Sequence, residues 1–516
     1  MNHPVTVPRS SPWWWVLPVV LAGLFHWFFL PRQAAYQNDA NFYLGGAAAL
    51  ADGLGYRVEP YLDLPSVSQY PPLHSAYLSV FWHRGGGFPD NTAGLALAME
   101  LVALTALAFL SAGLRRAGVP AWFGALCVLL VGTSVVWLDL TTMMFSDVTF
   151  TMLGAALIWL VGTDPGRSSR SPWWWLGLGI LLGLLLLTRS AGIAPVLGVA
   201  TLWLINREAR RVAPTVALFA PLGMAFLVKK WASGEGGTYG GYFGARVVEL
   251  GGWADYLKAQ VGTAWAYSDG TCWVEALFSA PSRMRYFQGH LGPLPGVGLR
   301  VLSASLGFLM MALMIRGAWQ RRGSPLTRAA LWVLFLYFGI LFVWPFAIGT
   351  RAVLVTLPLT LVWLWQGISG LAPASGRGQK ILWAAVAGFM VLNIIGNMEV
   401  SRRESGQFDR DTVRDLAALR ELAAWVRERP GPEILISATR DIPVNHLRHY
   451  LGRRLLANPA PEILPGSFYD VPPASQGNRT ADYAVVREGG PLTYGRRSLQ
   501  VERTFGPFQL CRVGPP

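Results

Sequence analysis

Charge is what this sequence has least of. Asp, Glu, Lys and Arg make up 14% of its 516 residues, against about 25% in a soluble chain, so water is not its main solvent. Cysteine is scarcer still: Cys127, Cys272 and Cys511 have no metal or redox spacing. Cys127 lies in an apolar run and reads as packing. Cys272 and Cys511 both fall on the expected outer side, where a disulfide is chemically allowed, with two unrelated buried thiols as the default. Also missing are a Walker-type Gly-Lys-Ser/Thr loop, a His-Glu-x-x-His helix and a Gly-x-Ser-x-Gly elbow. Nucleotide hydrolysis and zinc proteolysis therefore have no support.

What is present is apolar length. Hydrophobic residues make up 53% of the chain, with 23 Trp. Runs such as Trp13–Leu30, Leu95–Leu110, Val119–Leu138, Trp173–Leu187 and Ile381–Ile395 approach the ~20 residues that cross a hydrocarbon core. The first run is followed by Pro31-Arg32 rather than by a small-residue cleavage site, and reads as a retained helix. About eleven spans are expected, near 13–30, 94–113, 120–138, 148–162, 173–187, 190–205, 213–228, 297–315, 329–346, 352–369 and 380–396. The net charge of +14 is a topology signal, not a nucleic-acid signal. Arg115/Arg116, Arg167/Arg170, Arg207/Arg210/Arg211, Arg316/Arg321/Arg322/Arg328 and Arg377/Lys380 all fall on one side if every run crosses. The amino end is then cytoplasmic and the carboxyl end outside.

Residues 1–396 read as the membrane domain, with long outer loops at 31–93 and 229–295. In the first, a small-residue helix runs to Ala51, and His74–Trp82 is aromatic-rich and amphipathic after Pro71-Pro72, suited to the membrane surface. Residues 397–516 read as a small α/β domain: Asp411–Arg429 helical, Glu433–Ala438 strand-like, Ile442–Leu451 helical and Ala484–Val486 a strand. No cytoplasmic segment is large enough for a nucleotide-sugar site.

Two acids stand at outer helix mouths. Asp39 follows the first span, where a carboxylate can take a proton from an attacking hydroxyl or simply cap the helix Ala40–Ala51. Asp147, in Met143–Phe150, stands at the mouth of the fourth span and can position an acceptor or a cation, or cap its helix. Arg189 and Arg351 also sit at outer ends, against the positive-inside trend. Guanidinium groups there suit a phosphate or pyrophosphate; snorkelling to the interface is the plain alternative. Lys229-Lys230 are read as an interfacial pair. Asn38, Tyr43, Tyr70 and His74 are candidate substrate contacts.

The order of these features resembles the GT-C superfamily, in its bacterial branch related to protein O-mannosyltransferases and aminoarabinose transferases. The resemblance runs from Trp13 to about Ile395. It rests on Asn38-Asp39 with its alanine-rich helix, Gly53–Tyr56, Tyr70–Leu73, Ser146–Phe150, Leu187–Arg189, and Arg351 followed by Pro358. The resemblance implies a polytopic α-helical membrane protein of GT-C type, with about 11 transmembrane helices and a small extracytoplasmic α/β domain, in a bacterial inner membrane. It implies inverting transfer of a sugar from a polyprenyl-phosphate donor to a glycan, lipid or protein acceptor. Asp39 would be the general base, Asp147 the second outer-loop acid and Arg351 a phosphate contact. Aminoarabinose transferases carry Lys before Pro-Pro-Leu, where this chain has Tyr70, so a cation is lost there; His74 can replace it in part, or be a plain interfacial histidine. No cofactor is expected: a divalent metal would have only Asp39, Asp147 and Glu59 to hold it and is not favoured.

A transporter or lipid flippase is the rival reading, since it too would carry many spans and outward charges. It would be expected to show related halves and broken helices at the midplane. The topology is testable directly: alkaline phosphatase fused after Pro516 is expected to be active, and fused after Arg116 inactive. The reverse pattern would overturn the assigned orientation.

Overall fold

The computed structural model describes residues 11–29, 39–57, 70–84, 91–161, 172–205, 223, 244, 247–248, 250–268, 270–279, 294–343, 349–371, 376–428, 436–438, 483–488, 493–494 and 497–513. The expected span at 213–228, the helix Ile442–Leu451, Asn38, Glu59 and Lys229-Lys230 lie outside that set, apart from single positions.

The described chain is mainly helical. In order it comprises α1 (Trp13–Phe29), α2 (Asp39–Ala51), α3 (Leu73–Ser79), α4 (Thr92–Arg116), α5 (Ala121–Gly132), α6 (Val135–Thr142), α7 (Ser146–Val161), α8 (Pro172–Thr188) and α9 (Ile193–Ile205). The second half holds α10 (Trp253–Ser268), α11 (Thr271–Phe278), α12 (Leu294–Gln320), α13 (Pro325–Val343), α14 (Thr350–Leu354), α15 (Leu357–Ser369) and α16 (Arg377–Glu428). Among the described residues three segments are long and apolar enough to cross a membrane: Thr92–Arg116, Val301–Gln320 and Arg377–Arg403. The remaining apolar helices are shorter or broken, so the count of eleven goes beyond what the described helices establish. Helices meet where side chains are small. A Cβ on Gly317 would lie 1.9 Å from the Trp363 carbonyl oxygen, and one on Gly367 2.0 Å from that of Leu313. The α12–α15 contact is therefore backbone to backbone, as small residues permit in lipid.

The run expected as one span at 120–138 is instead two helices, α5 and α6, bent by 53°. A break inside a membrane fold frees backbone groups that lipid cannot satisfy, and here side chains of α1 and α16 supply partners. His26 Nε2 of α1 donates to the Gly132 carbonyl at 2.6 Å, while its Nδ1 is 3.0 Å from both Glu100 carboxyl oxygens. From α16, Asn397 Nδ2 donates to Leu277 O at 2.8 Å and approaches Leu130 O at 3.4 Å, and Ser401 Oγ donates to Thr133 O at 3.2 Å. Beyond the break, Ser134 caps α6 by accepting from Trp137 N–H, and Val135 N–H donates to Ser279 Oγ at 3.0 Å. The bend turns α6 toward the short Met143–Phe145 turn and hence toward Asp147.

Helix α16 runs unbroken for 52 residues, about 78 Å at 1.5 Å per residue. The boundary expected at 396/397 falls inside it, with no break in the backbone there. Its far end presents Leu416, Leu419, Leu422 and Val426 at helical spacing to Val485, Phe508 and Leu510. The latter three come from a five-stranded sheet of order β1-β2-β5-β4-β3: β1 (Ile436–Ala438), β2 (Tyr483–Arg487), β3 (Thr493–Tyr494), β4 (Arg497–Phe505) and β5 (Phe508–Val513). β1 and β2 are parallel and the other pairs antiparallel. Cys127, Cys272 and Cys511 are all free and buried. Cys272 packs among the membrane helices and Cys511 in the sheet, so the chemically allowed bridge is not formed.

Replacing Asn397 by Leu strands the Leu130 carbonyl at the bend and the Leu277 carbonyl of α11, at a cost of about 1–3 kcal/mol per buried unsatisfied group. A clear loss of thermal stability of the detergent-solubilised protein is the expected result. Unchanged unfolding would mean that the bend needs no such partners.

Candidate functional site

The site assembles around one carboxylate. Helix α7 opens at Ser146, directly after a tight turn in which Met144 has a φ of 57°, a left-handed conformation that side chains other than glycine rarely adopt. The turn is closed by Met144 N–H to Thr141 O at 3.2 Å and Phe145 N–H to Leu140 O at 3.0 Å. It places Asp147 in the first turn of α7, with a side chain only 2% exposed.

Both sequence-singled arginines reach that carboxylate. Arg189 follows the end of α8 in extended conformation, φ −146° and ψ 144°, and its Nη1 lies 2.5 Å from Asp147 Oδ2. That approach lacks hydrogen-bond alignment, so the contact is primarily an ion pair. Gly192 makes the turn possible: a Cβ there would lie 2.3 Å from the Leu185 carbonyl oxygen. Arg351 enters from α14, after Gly349 at φ 63°, and its Nη2 donates to the same Oδ2 at 2.8 Å. Its guanidinium carbon sits 4.1 Å from the centre of the Phe145 ring, a cation–π arrangement. Both cations are therefore paired to a buried carboxylate while remaining partly exposed. Burial pulls the Arg189 pKa down, but Asp147 beside it outweighs that and holds it above its ordinary value. Both arginines stay cationic, and the triad carries a net charge of about +1.

Helices α2 and α3, with Tyr70 just before α3, close one wall. Tyr43 Oη is 2.6 Å from Ser146 Oγ. Its ring meets Tyr70 edge-on at 5.1 Å and His74 at 4.9 Å, while Tyr70 stacks on Phe42 at 5.2 Å. His74 is fully buried. Its Nε2 donates to Met144 O at 3.0 Å and its Nδ1 lies 2.9 Å from Thr149 Oγ1. This corrects both sequence expectations for His74: with both nitrogens bonded inside the protein, it is neither an interfacial residue nor a replacement cation. Burial lowers its pKa to about 4, opposed in part by the bond to Met144 and by Asp147, so the ring is neutral at physiological pH.

Sequence reasoning missed three contributors. Phe145, beneath Arg351, had only its aromatic character to signal it. Glu275, in the second outer loop, accepts from the Thr350 hydroxyl at 2.5 Å and ties α11 to the helix that carries Arg351. Tyr337 donates to Ala352 O at 3.2 Å. The latter two are isolated in sequence and become meaningful only through the fold. Asp39 is the first residue of α2, four positions before Tyr43; its side chain lies outside the described atoms, as does Asn38. Among the described residues, no three His, Cys, Asp or Glu side chains gather in a group that could hold a metal ion.

No family model and no curated protein matches this sequence. Solved structures do. ArnT from Cupriavidus metallidurans in the apo state superposes with a TM-score of 0.54 at 15% identity, over 98% of this chain and 99% of that one. The same protein bound to undecaprenyl phosphate gives 0.54 and 15%, over 98% and 100%. The archaeal oligosaccharyltransferase AglB from Archaeoglobus fulgidus, in complex with an inhibitory peptide and a dolichol-phosphate, gives 0.51 and 13%, over 92% of this chain and 69% of that one. This chain therefore shares the fold of these solved structures.

Asp147→Leu leaves two arginines packed without their carboxylate, at a cost of about 3–5 kcal/mol for a broken buried pair. The expected outcome is a large drop in unfolding temperature in detergent. A variant as stable as the parent would show that the triad is not a structural centre.

Proposed function

We propose that this protein is an inverting glycosyltransferase of a bacterial inner membrane. It moves a sugar from a polyprenyl-phosphate carrier to a glycan, lipid or protein acceptor on the extracytoplasmic face. The observation that carries this reading is the pair of partly exposed arginines, Arg189 and Arg351, closing on the buried Asp147 from two distant parts of the chain. Such a pair can hold an anion by planar hydrogen bonds. One carboxylate against two guanidinium groups leaves about one positive charge, which suits the single negative charge of a phosphodiester-linked sugar better than a diphosphate. The place of Tyr70 agrees: its ring is engaged with Phe42 and Tyr43, and among the described residues no third cation is paired at this carboxylate to balance a second phosphate. The ArnT structure with undecaprenyl phosphate supports the same class of carrier by likeness of fold.

In the proposed reaction the acceptor hydroxyl attacks the anomeric carbon from the face opposite the phosphate. Its oxygen forms the new glycosidic bond, the bond from the anomeric carbon to the phosphate oxygen breaks, and polyprenyl phosphate leaves with the electron pair. Asp39 takes the acceptor proton. Arg351 and Arg189 stabilise the charge that grows on the leaving phosphate, which removes the need for a general acid. Asp147 holds the two guanidinium groups in place between turnovers. No observation favours the transporter or flippase reading comparably: the broken α5–α6 span has its freed carbonyls bonded to side chains rather than left open to a cargo.

Two substitutions test this. Arg351→Ala is expected to lower transfer from a labelled polyprenyl-phosphate sugar by about 10²–10³-fold with the protein still folded; near-normal turnover would discard the phosphate role. Asp39→Asn is expected to abolish transfer while donor binding persists, and equal transfer in both proteins would remove Asp39 from the mechanism.

A further inference from the structure

We propose that His74 is a positioning residue that sets affinity for the phosphate carrier by clamping the turn that delivers Phe145 and Asp147 to Arg351. The inference rests on the reading of Arg189 and Arg351 as the carrier's phosphate clamp.

The chemistry of its two bonds fixes the tautomer. The Met144 carbonyl can only accept, so Nε2 carries the hydrogen across the 3.0 Å contact. Nδ1 is then the acceptor for the Thr149 hydroxyl at 2.9 Å. These partners flank Asp147, one three residues before it and the other two after, so one rigid ring ties both sides of the α7 mouth to the first outer loop. The clamped segment is one that would relax if released. Met144 stands at φ 57°, a left-handed conformation that is disfavoured for a residue with a side chain. A strained residue persists only where its surroundings over-determine it.

What the turn carries is the site itself. Phe145 lies under the Arg351 guanidinium at 4.1 Å, and Asp147 receives Arg351 at 2.8 Å. A small rotation of the turn would move the aromatic face and the carboxylate together, and the guanidinium with them. Tyr43 holds the same mouth from a second point, through its 2.6 Å contact with Ser146 Oγ, and packs edge-on against the His74 ring. Full burial keeps the imidazole neutral through the physiological range, so the clamp does not open and close with ordinary pH changes.

The test uses the purified full chain as wild type, His74→Leu and His74→Gln. Leucine fills the space without a polar atom, whereas glutamine can still offer an N–H near the place of Nε2. Undecaprenyl phosphate alone is titrated first, followed by transfer kinetics with donor and acceptor varied separately. His74→Leu is expected to weaken undecaprenyl phosphate binding by about tenfold, equivalent to 1.4 kcal/mol, and to raise the donor KM in step with the acceptor KM unchanged. His74→Gln should recover most of that loss. Wild-type affinity in folded His74→Leu would overturn the proposal, as would equal losses for donor and acceptor with no rescue by glutamine. Should His74→Leu fail to fold, Thr149→Val removes one arm of the clamp; a loss of about threefold is expected, and unchanged affinity would overturn the proposal in the same way. A wild-type protein that does not bind undecaprenyl phosphate would instead sink the phosphate-clamp reading on which this one rests.

Discussion

The fold depends on a single carboxylate shared between two arginines. Two guanidinium groups brought together inside a protein repel one another, and each loses hydration that the interior does not return. Asp147 offsets both costs at once, with ion-pair distances of 2.5 Å and 2.8 Å to the same oxygen. The three residues lie far apart in sequence, so this one contact draws together the ends of α7, α8 and α14. It also leaves a surplus of positive charge at a mouth that is otherwise aromatic, which is where an anionic lipid head group can be met.

The rest of the architecture serves to deliver that carboxylate. A straight helix across the span of α5 and α6 would not turn toward Asp147; the 53° bend lets α6 end in the Met143–Phe145 turn. The bend exists at low cost because His26, Asn397 and Ser401 take up the carbonyls around it. On the other side, Glu275 and Tyr337 brace the short helix that carries Arg351. Helix α16 contributes to both regions, since Asn397 and Ser401 sit beside the bend while Leu416 to Val426 pack against the five-stranded sheet.

Much of this was legible in the sequence, and for identifiable reasons. Apolar runs report the apolar helices, which depend on composition rather than on tertiary contact. Asp147, Arg189 and Arg351 stood out because charge at an outer helix mouth has no topological explanation. Their mutual pairing was not legible, because it joins three separate helix ends, with Arg351 204 residues from Asp147 in the chain. His74 was misjudged because a histidine near a proline pair looks interfacial until its two partners, Met144 and Thr149, are brought to it by the fold. The bend was hidden for the converse reason: Thr133 and Ser134 are small and sit in an apolar run, and the side chains that make a break tolerable come from helices elsewhere. The long α16 concealed its continuity behind a change of composition, since a helix keeps its hydrogen bonds whether lipid or water surrounds it.

The most direct measurement is an experimental structure of the protein with undecaprenyl phosphate bound. The account predicts phosphate oxygens within hydrogen-bond reach, about 2.7–2.9 Å, of both Arg189 and Arg351, with Asp147 still behind them. A phosphate bound elsewhere, while both guanidinium groups remain closed on Asp147 alone, would contradict it.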